Sequence, residues 1–244
     1  GDNNIKVGII DSGIDASHPD LSGRIDTSLS KSFILASNGT ALQDNIGHGT
    51  HVAGIIGGRP NNDLYIAGIC WETTLVSLKV INNNSNCLLS NVASAINYAN
   101  EKGIELLNIS IGSETYSLAL KNAITNYPGL IVCSSGNDGK DTDEDAVYLN
   151  EYNNDNLICV GNSTATDYRQ EGSNYGINTV DLFAPGTNIW SDYPLDKENG
   201  VKQLTGTSMA APHVTGVAAL LKAQNPNITW LQVKTRILDN VDVT

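Results

Sequence analysis

Four short segments carry residue types that could act on a carbonyl carbon. Asp11 follows the apolar run Val7-Gly8-Ile9-Ile10, and Ser12-Gly13 then turns the chain. A carboxylate just past a strand end is shielded on one side and faces a crevice on the other. His48 stands between glycines in Gly47-His48-Gly49-Thr50-His51-Val52-Ala53-Gly54, where bare backbone can approach closely and leave the imidazole room. Ser208 lies in Gly206-Thr207-Ser208-Met209-Ala210-Ala211-Pro212. A helix opening there would place free amide donors and the positive end of its dipole beside the hydroxyl. Asn137, in Ser134-Ser135-Gly136-Asn137-Asp138-Gly139, follows an apolar run ending at Cys133, and its amide could donate to a tetrahedral oxyanion. Singly, these read as a turn cap, a structural histidine, an N-cap serine and a turn asparagine. Together, in the order Asp…His…Ser, they compose an orienting acid, a general base and a nucleophile, with an oxyanion donor. His48 and His51 do not read as a metal pair, since there is no HExxH spacing and no third ligand nearby.

The elements that must position these groups follow from periodicity. Short apolar runs alternate with amphipathic stretches, which predicts an α/β fold: an open, mostly parallel twisted sheet with helices on both faces. Strands are expected at Lys6–Ile10, Leu75–Val80, Glu105–Ile109, Leu130–Ser134, Leu157–Val160 and Val180–Phe183. Ser90–Glu101 places Val92, Ala95, Ile96 and Ala99 on one helical face and stops at Gly103. Ser208–Ala223 reads as a buried helix of small residues, and Thr229-Trp230-Leu231-Gln232 as a capping box that opens the last one. Ile189–Tyr193 and Val201–Leu204 flank Asn199-Gly200, a hairpin signal at the sheet edge. In open sheets of this kind sites form beyond the carboxyl ends of the strands.

Length and composition bound the function. The 244 residues suit one domain, here taken as residues 1–244, and 40% apolar residues with 23 glycines suit a folded globular chain. No apolar run approaches the ~20 residues of a membrane span, and the first residues lack a signal peptide's basic and apolar segments. A net charge of −12 repels nucleic acid and anionic membranes, so neither is an expected partner. Cys70, Cys87, Cys133 and Cys159 show no CxxC spacing. Cys133 and Cys159 sit in apolar runs and read as buried thiols.

The three segments Asp11-Ser12-Gly13-Ile14-Asp15, Gly47 to Gly54 and Gly206 to Pro212 are long and specific, and through them the chain resembles the subtilisin-like serine proteases (subtilases, peptidase family S8). The resemblance runs from about Val7 to Ile237. It implies that Ser208 attacks the scissile carbonyl, that His48 carries the proton and that Asp11 orients His48. Asn137, the Ser208 amide and the Thr207 hydroxyl would form the oxyanion hole. An extended polypeptide substrate would pair with the segment Leu107 to Gly112. Ser110, Ile111, Gly112 and Ser113 would wall the primary pocket together with Cys133, Ser134, Ser135 and Gly136, and Leu89, Val92 and Ile111 would line a more distant apolar pocket.

The same resemblance implies a structural calcium ion, with Asp20 as ligand and Asn61 and Asp63 in the matching loop. It also implies a secreted or cell-surface monomer, matured from a zymogen by removal of a propeptide upstream of Gly1. Many relatives continue past the point where this chain ends, so a trimmed core and a shortened variant are both open. Broad or apolar specificity is favoured. The acidic run Asp138 to Asp145 and Glu114 raise the alternative of a processing protease that cuts after a basic residue. An inactive, protease-like binding scaffold is the reading of another class, and a fluorophosphonate probe separates it from an enzyme. An esterase is disfavoured because the GxSxG elbow is missing.

Overall fold

Neighbouring residues along the central strands enter opposite hydrophobic cores. In the strand Leu130–Ser134, Leu130 and Val132 pack on one side while Ile131 and Cys133 pack on the other. Strands buried on both faces read as unbroken apolar runs, as parallel sheets between helical layers do. The computed structural model describes residues 5–242. The expectations that rest on Gly1 to Asn4 and on Val243 and Thr244 lie outside the described residues.

The strands, numbered along the chain, are β1 Lys6–Asp11, β2 Lys31–Ser32, β3 Thr74–Lys79, β4 Leu106–Ile109, β5 Leu130–Ser134, β6 Leu157–Ser163, β7 Leu182–Pro185, β8 Ile189–Asp192 and β9 Val201–Leu204. The first seven form one sheet in the order β2-β3-β1-β4-β5-β6-β7, every pair parallel. The helices are α1 His48–Gly57, α2 Leu89–Glu101, α3 Leu118–Thr125, α4 Thr207–Gln224 and α5 Trp230–Leu238. One face of the sheet packs against α1, α4 and α5, the other against α2 and α3. The expected α/β class, with helices on both faces, is therefore the fold.

The chain leaves β1 to one side, for β3, and returns on the other, at β4. The crevice at such a reversal is where open sheets bind ligands, and Asp11 is the last residue of β1.

All six expected strands are present, the fifth extending to Ser163 and the sixth shifted two residues along, to Leu182–Pro185. The capping box is formed as read: Thr229 accepts from the Gln232 amide while Gln232 Oε1 accepts from the Thr229 amide. The hairpin differs. β8 and β9 form a separate antiparallel sheet that packs against α1, not on the edge of the main sheet. Residues 193–200 connect them, ending in a short helical turn at Glu198–Gly200 in place of a two-residue turn at Asn199-Gly200. Helix α3 was not anticipated. Its signals are Ser117, whose side chain caps the Leu120 amide, and the buried trio Leu120, Ala123 and Ile124.

Candidate active site

Asp11 reaches the site by strand geometry alone. It is 1% exposed, and its Oδ1 accepts the amide of Ser12 at 2.7 Å. His48 is the first residue of α1, and its Nδ1–H donates to Asp11 Oδ1 and Oδ2 at 2.8 and 2.9 Å. Both flanking glycines are required for this approach. Gly47 has φ +96°, and a Cβ there would sit 2.3 Å from the Tyr193 ring; a Cβ on Gly49 would lie 2.2 Å from the Gly13 carbonyl oxygen. Burial disfavours the His48 imidazolium, but the Asp11 carboxylate outweighs it and raises the His48 pKa above 6.5.

Two residues that hold this pair escaped the sequence reading. The buried Asp44 carboxylate accepts from the Ser12 hydroxyl at 2.9 Å, the Gly47 amide at 2.8 Å, and the Thr50 amide and hydroxyl at 2.9 and 2.7 Å. It ties the Asp11 turn to the start of α1. Its signal was an acid shortly before a helix start, a common capping arrangement. Lys79, at the end of β3 and 1% exposed, donates through Nζ to the carbonyls of Ser12 at 2.6 Å and Gln43 at 2.9 Å. Its burial lowers its pKa, against the pull of Asp44 and Asp11. His51 turns away from His48, and its Nε2–H lies 3.2 and 3.0 Å from the carbonyls of Ile189 and Lys202 in the hairpin.

Ser208 is the second residue of α4. Pro212 lacks the N–H that would bond the Ser208 carbonyl four residues back, and the Ser110 hydroxyl donates to that carbonyl at 3.2 Å instead. The Ser208 hydroxyl donates to the Ser110 carbonyl at 3.5 Å, and no bond from it to His48 is formed among the described residues. Asn137, past the end of β5, accepts from the Thr207 amide at 2.8 Å and the Thr207 hydroxyl at 3.1 Å. An amide N–H only donates, so the atom facing Thr207 is Oδ1, and Nδ2 is the free end. The buried Thr207 hydroxyl spends its one proton on Asn137 Oδ1, and it also accepts from the Gly136 amide at 3.2 Å. In this arrangement it braces Asn137.

Leu89, Val92 and Ile111 come together as expected, in a small apolar pocket completed by Ile109, Gly112, Leu120, Tyr148 and Leu149. Ser113 pairs with Tyr148 in both directions at 2.8 Å, which holds that wall. The side chains of Cys133 and Ser135 are wholly buried, with Cys133 in the core and Ser135 Oγ donating to the Asn174 carbonyl. Their side chains support the wall at Ser134 and Gly136 rather than face a substrate. The four cysteines are free thiols, and Cys133 and Cys159 are buried, paired in register on β5 and β6. Three of the six acidic groups, Glu114, Asp141 and Asp143, are engaged nearby. Glu114 pairs with Lys140 at 2.6 Å, and Asp143 accepts from Asn178 and Thr179.

The residues expected to hold calcium do not converge. Asp20 is buried, whereas Asn61 and Asp63 are exposed, and no side-chain hydrogen bond joins either to it among the described residues. The Asp20 oxygens accept N–H donors, from Asn62 Nδ2 at 2.7 Å and the Ile66 amide at 3.0 Å. Calcium needs six to eight oxygen ligands, and a loop that turns donors toward Asp20 presents the wrong polarity.

Comparison with known proteins agrees with this architecture. The sequence profile described as the Subtilase family matches residues 2–243. The chain is 35% identical over 238 residues to subtilisin DY of Bacillus licheniformis, covering 96% of this chain and 82% of that protein. It is 41% identical over 229 residues to the major intracellular serine protease of Bacillus subtilis (strain 168), covering 90% and 69%. It is 36% identical over 231 residues to a thermophilic serine proteinase of Bacillus sp. (strain AK1), covering 93% of this chain but 54% of that protein. Its fold matches the crystal structure of a cold-adapted subtilisin-like serine proteinase with a TM-score of 0.83 and 29% identity, covering 98% of this chain and 83% of that one. By sequence and by fold, the chain belongs to the subtilase family and is a subtilisin-like serine endopeptidase.

Proposed function

We propose that Asp11, His48 and Ser208 form the catalytic triad and cleave polypeptides through an acyl-enzyme. The Asp11–His48 pair carries this reading: Nδ1–H donated to a buried carboxylate leaves Nε2 as the base, the tautomer that serine activation requires. Ser208 Oγ adds to the scissile carbonyl as His48 Nε2 takes its proton. The oxyanion is stabilised by Asn137 Nδ2 and the Ser208 amide at the start of α4. His48 then delivers the proton to the leaving amine, and water, activated by His48, hydrolyses the ester.

Leu89, Val92 and Ile111, which meet in a small apolar pocket, are the residues against which the resemblance sets an apolar side chain remote from the cut bond. The Glu114–Lys140 pair removes one acid from the case for a basic residue next to it, so broad or apolar specificity is the favoured reading. Export and maturation by propeptide removal, implied by the resemblance, belong to this proposal. N-terminal sequencing of the protein recovered from the medium of its producing cells checks them.

Ser208→Ala tests the mechanism. It should abolish peptide hydrolysis and fluorophosphonate labelling while the circular dichroism spectrum stays unchanged. Undiminished turnover would refute the assignment. Labelling of the unaltered chain also decides against an inactive binding scaffold.

A further inference from the structure

Asp20, freed from the calcium role, has other neighbours. His18, Asp20 and Asp192 are each wholly buried, and one ligand atom from each lies within 4.8 Å of the other two. They come from the loop after β1 and from the last residue of β8, so two distant stretches of chain meet here.

The state of each donor can be read from its partners. His18 Nε2 lies 2.8 Å from the Gly200 carbonyl, and a carbonyl only accepts, so Nε2 carries the proton. Nδ1 therefore offers its lone pair to the cluster, where Asp192 Oδ1 is 3.7 Å away. The Asp20 amide is a competitor for that lone pair, at 3.3 Å. Asp20 is oriented by Asn62 and Ile66 as described above. Asp192 is the exception: both of its oxygens are buried and neither receives a hydrogen bond from an N–H or O–H donor, while the Asp20 carboxylate lies beside them. A buried carboxylate without partner or counter-charge is strongly disfavoured.

We propose that His18 Nδ1, Asp20 and Asp192 bind one divalent transition-metal ion of the zinc class. Two carboxylates and a neutral imidazole supply a charge of −2 and a mixed N,O donor set, which suits Zn²⁺ or Co²⁺ better than Ca²⁺. The 3.7 Å separation is near the roughly 3.4 Å that tetrahedral zinc bonds of about 2.05 Å set between donors. Metal-binding histidines donate their second N–H to a carbonyl, and ligating carboxylates are themselves hydrogen-bonded; His18 and Asp20 already make those outer contacts. An ion here would staple the loop after β1 to the β8–β9 hairpin, away from His48.

The test uses the unaltered chain, stripped with chelator and titrated with Co²⁺ while visible absorption is followed. Zn²⁺ binding is then measured by calorimetry and thermal melting. One ion per chain, a tetrahedral-type cobalt spectrum and a higher melting temperature are expected. Asp192→Asn and His18→Gln should each weaken binding by more than the ~10–100-fold typical of losing an outer contact. The cobalt spectrum stands even if a variant fails to fold. Three results would overturn the proposal: no uptake, uptake unchanged in a folded variant (adventitious binding to the acidic surface), or a protonated carboxyl at Asp192, seen by infrared, that survives saturating Zn²⁺.

Discussion

Asn137 turns its carboxamide oxygen onto the amide and hydroxyl of Thr207, 2.8 and 3.1 Å away. The residue before the nucleophile therefore fixes which end of Asn137 faces the crevice. Asn137→Ala should lower kcat by about 10²–10³-fold with little change in KM, because an oxyanion donor acts mainly in the transition state. Thr207→Val removes one of the two anchors and should give a smaller fall in kcat, while Thr207→Ser, which keeps the hydroxyl, should restore it. Steady-state kinetics on one peptide substrate checks the order. Equal KM and kcat losses in all three variants would show that Thr207 has only a packing role.

The His48–Asp11 pair sets the acid limb of activity. Asp11 raises the His48 pKa above 6.5 despite burial, so kcat/KM should fall tenfold per pH unit below a midpoint that lies above 6.5. Asp11→Asn should lower that midpoint and reduce kcat by about 10⁴-fold, since the imidazole loses both its counter-charge and its tautomer control. Stability runs the other way. A raised folded pKa contributes stability that is complete below the unfolded value and is lost as pH rises through the folded one. On acidification this pair therefore adds stability while activity falls, so the loss of kcat/KM should occur in folded protein, which pH–rate and pH–melting curves on one sample will show.

How much of this was legible in the residues differs from group to group. Asp11, His48 and Ser208 were legible because each sits where a regular element begins or ends, and such positions are marked by apolar runs and glycines. Asp44 and Lys79 were not. Asp44 matters through one distant side chain, the Ser12 hydroxyl 32 residues away, and Lys79 through the carbonyls of Ser12 and Gln43, 67 and 36 residues away; nothing local distinguishes Lys79 from a charged strand end. The contact between the Thr207 hydroxyl and Asn137 was not legible either, since it depends on two segments 70 residues apart. The calcium ligands failed for the same reason. The side-chain types in the loop from Asn61 to Ile66 suited a cation, but the orientation of its amides is a property of the folded backbone.

His51 should dominate one part of acid unfolding. Burial pushes its pKa down to about 4, although the Lys202 and Ile189 carbonyls oppose that shift. In the unfolded chain His51 takes up a proton near 6.5, which the folded chain resists until about 4. Stability is thus lost as pH falls through this window, by about 3 kcal/mol for the full shift. His51→Gln keeps a donor for the hairpin carbonyls and cannot titrate. Urea melts at pH 7.5 and 4.5 should show a smaller acid loss in the variant. An identical loss would place the acid sensitivity elsewhere.

Gly49 offers a test of positioning without touching a reacting group. A methyl group there would lie 2.2 Å from the Gly13 carbonyl oxygen and 3.1 Å from Asp11 Cβ. The first obstacle is backbone and cannot rotate away, so relief has to come from moving the start of α1 off the end of β1. That displacement carries His48 with it. Gly49→Ala should cost about 1–3 kcal/mol of stability, as overpacking does. A misplacement of about 1 Å should also cost ~10²-fold in kcat. The two effects are separable: urea melts give the first, and kcat measured well below the unfolding transition gives the second. If the variant is destabilised but turns over at the unaltered rate, α1 moves without disturbing the Asp11–His48 pair. Close approach at Gly49 would then serve packing alone.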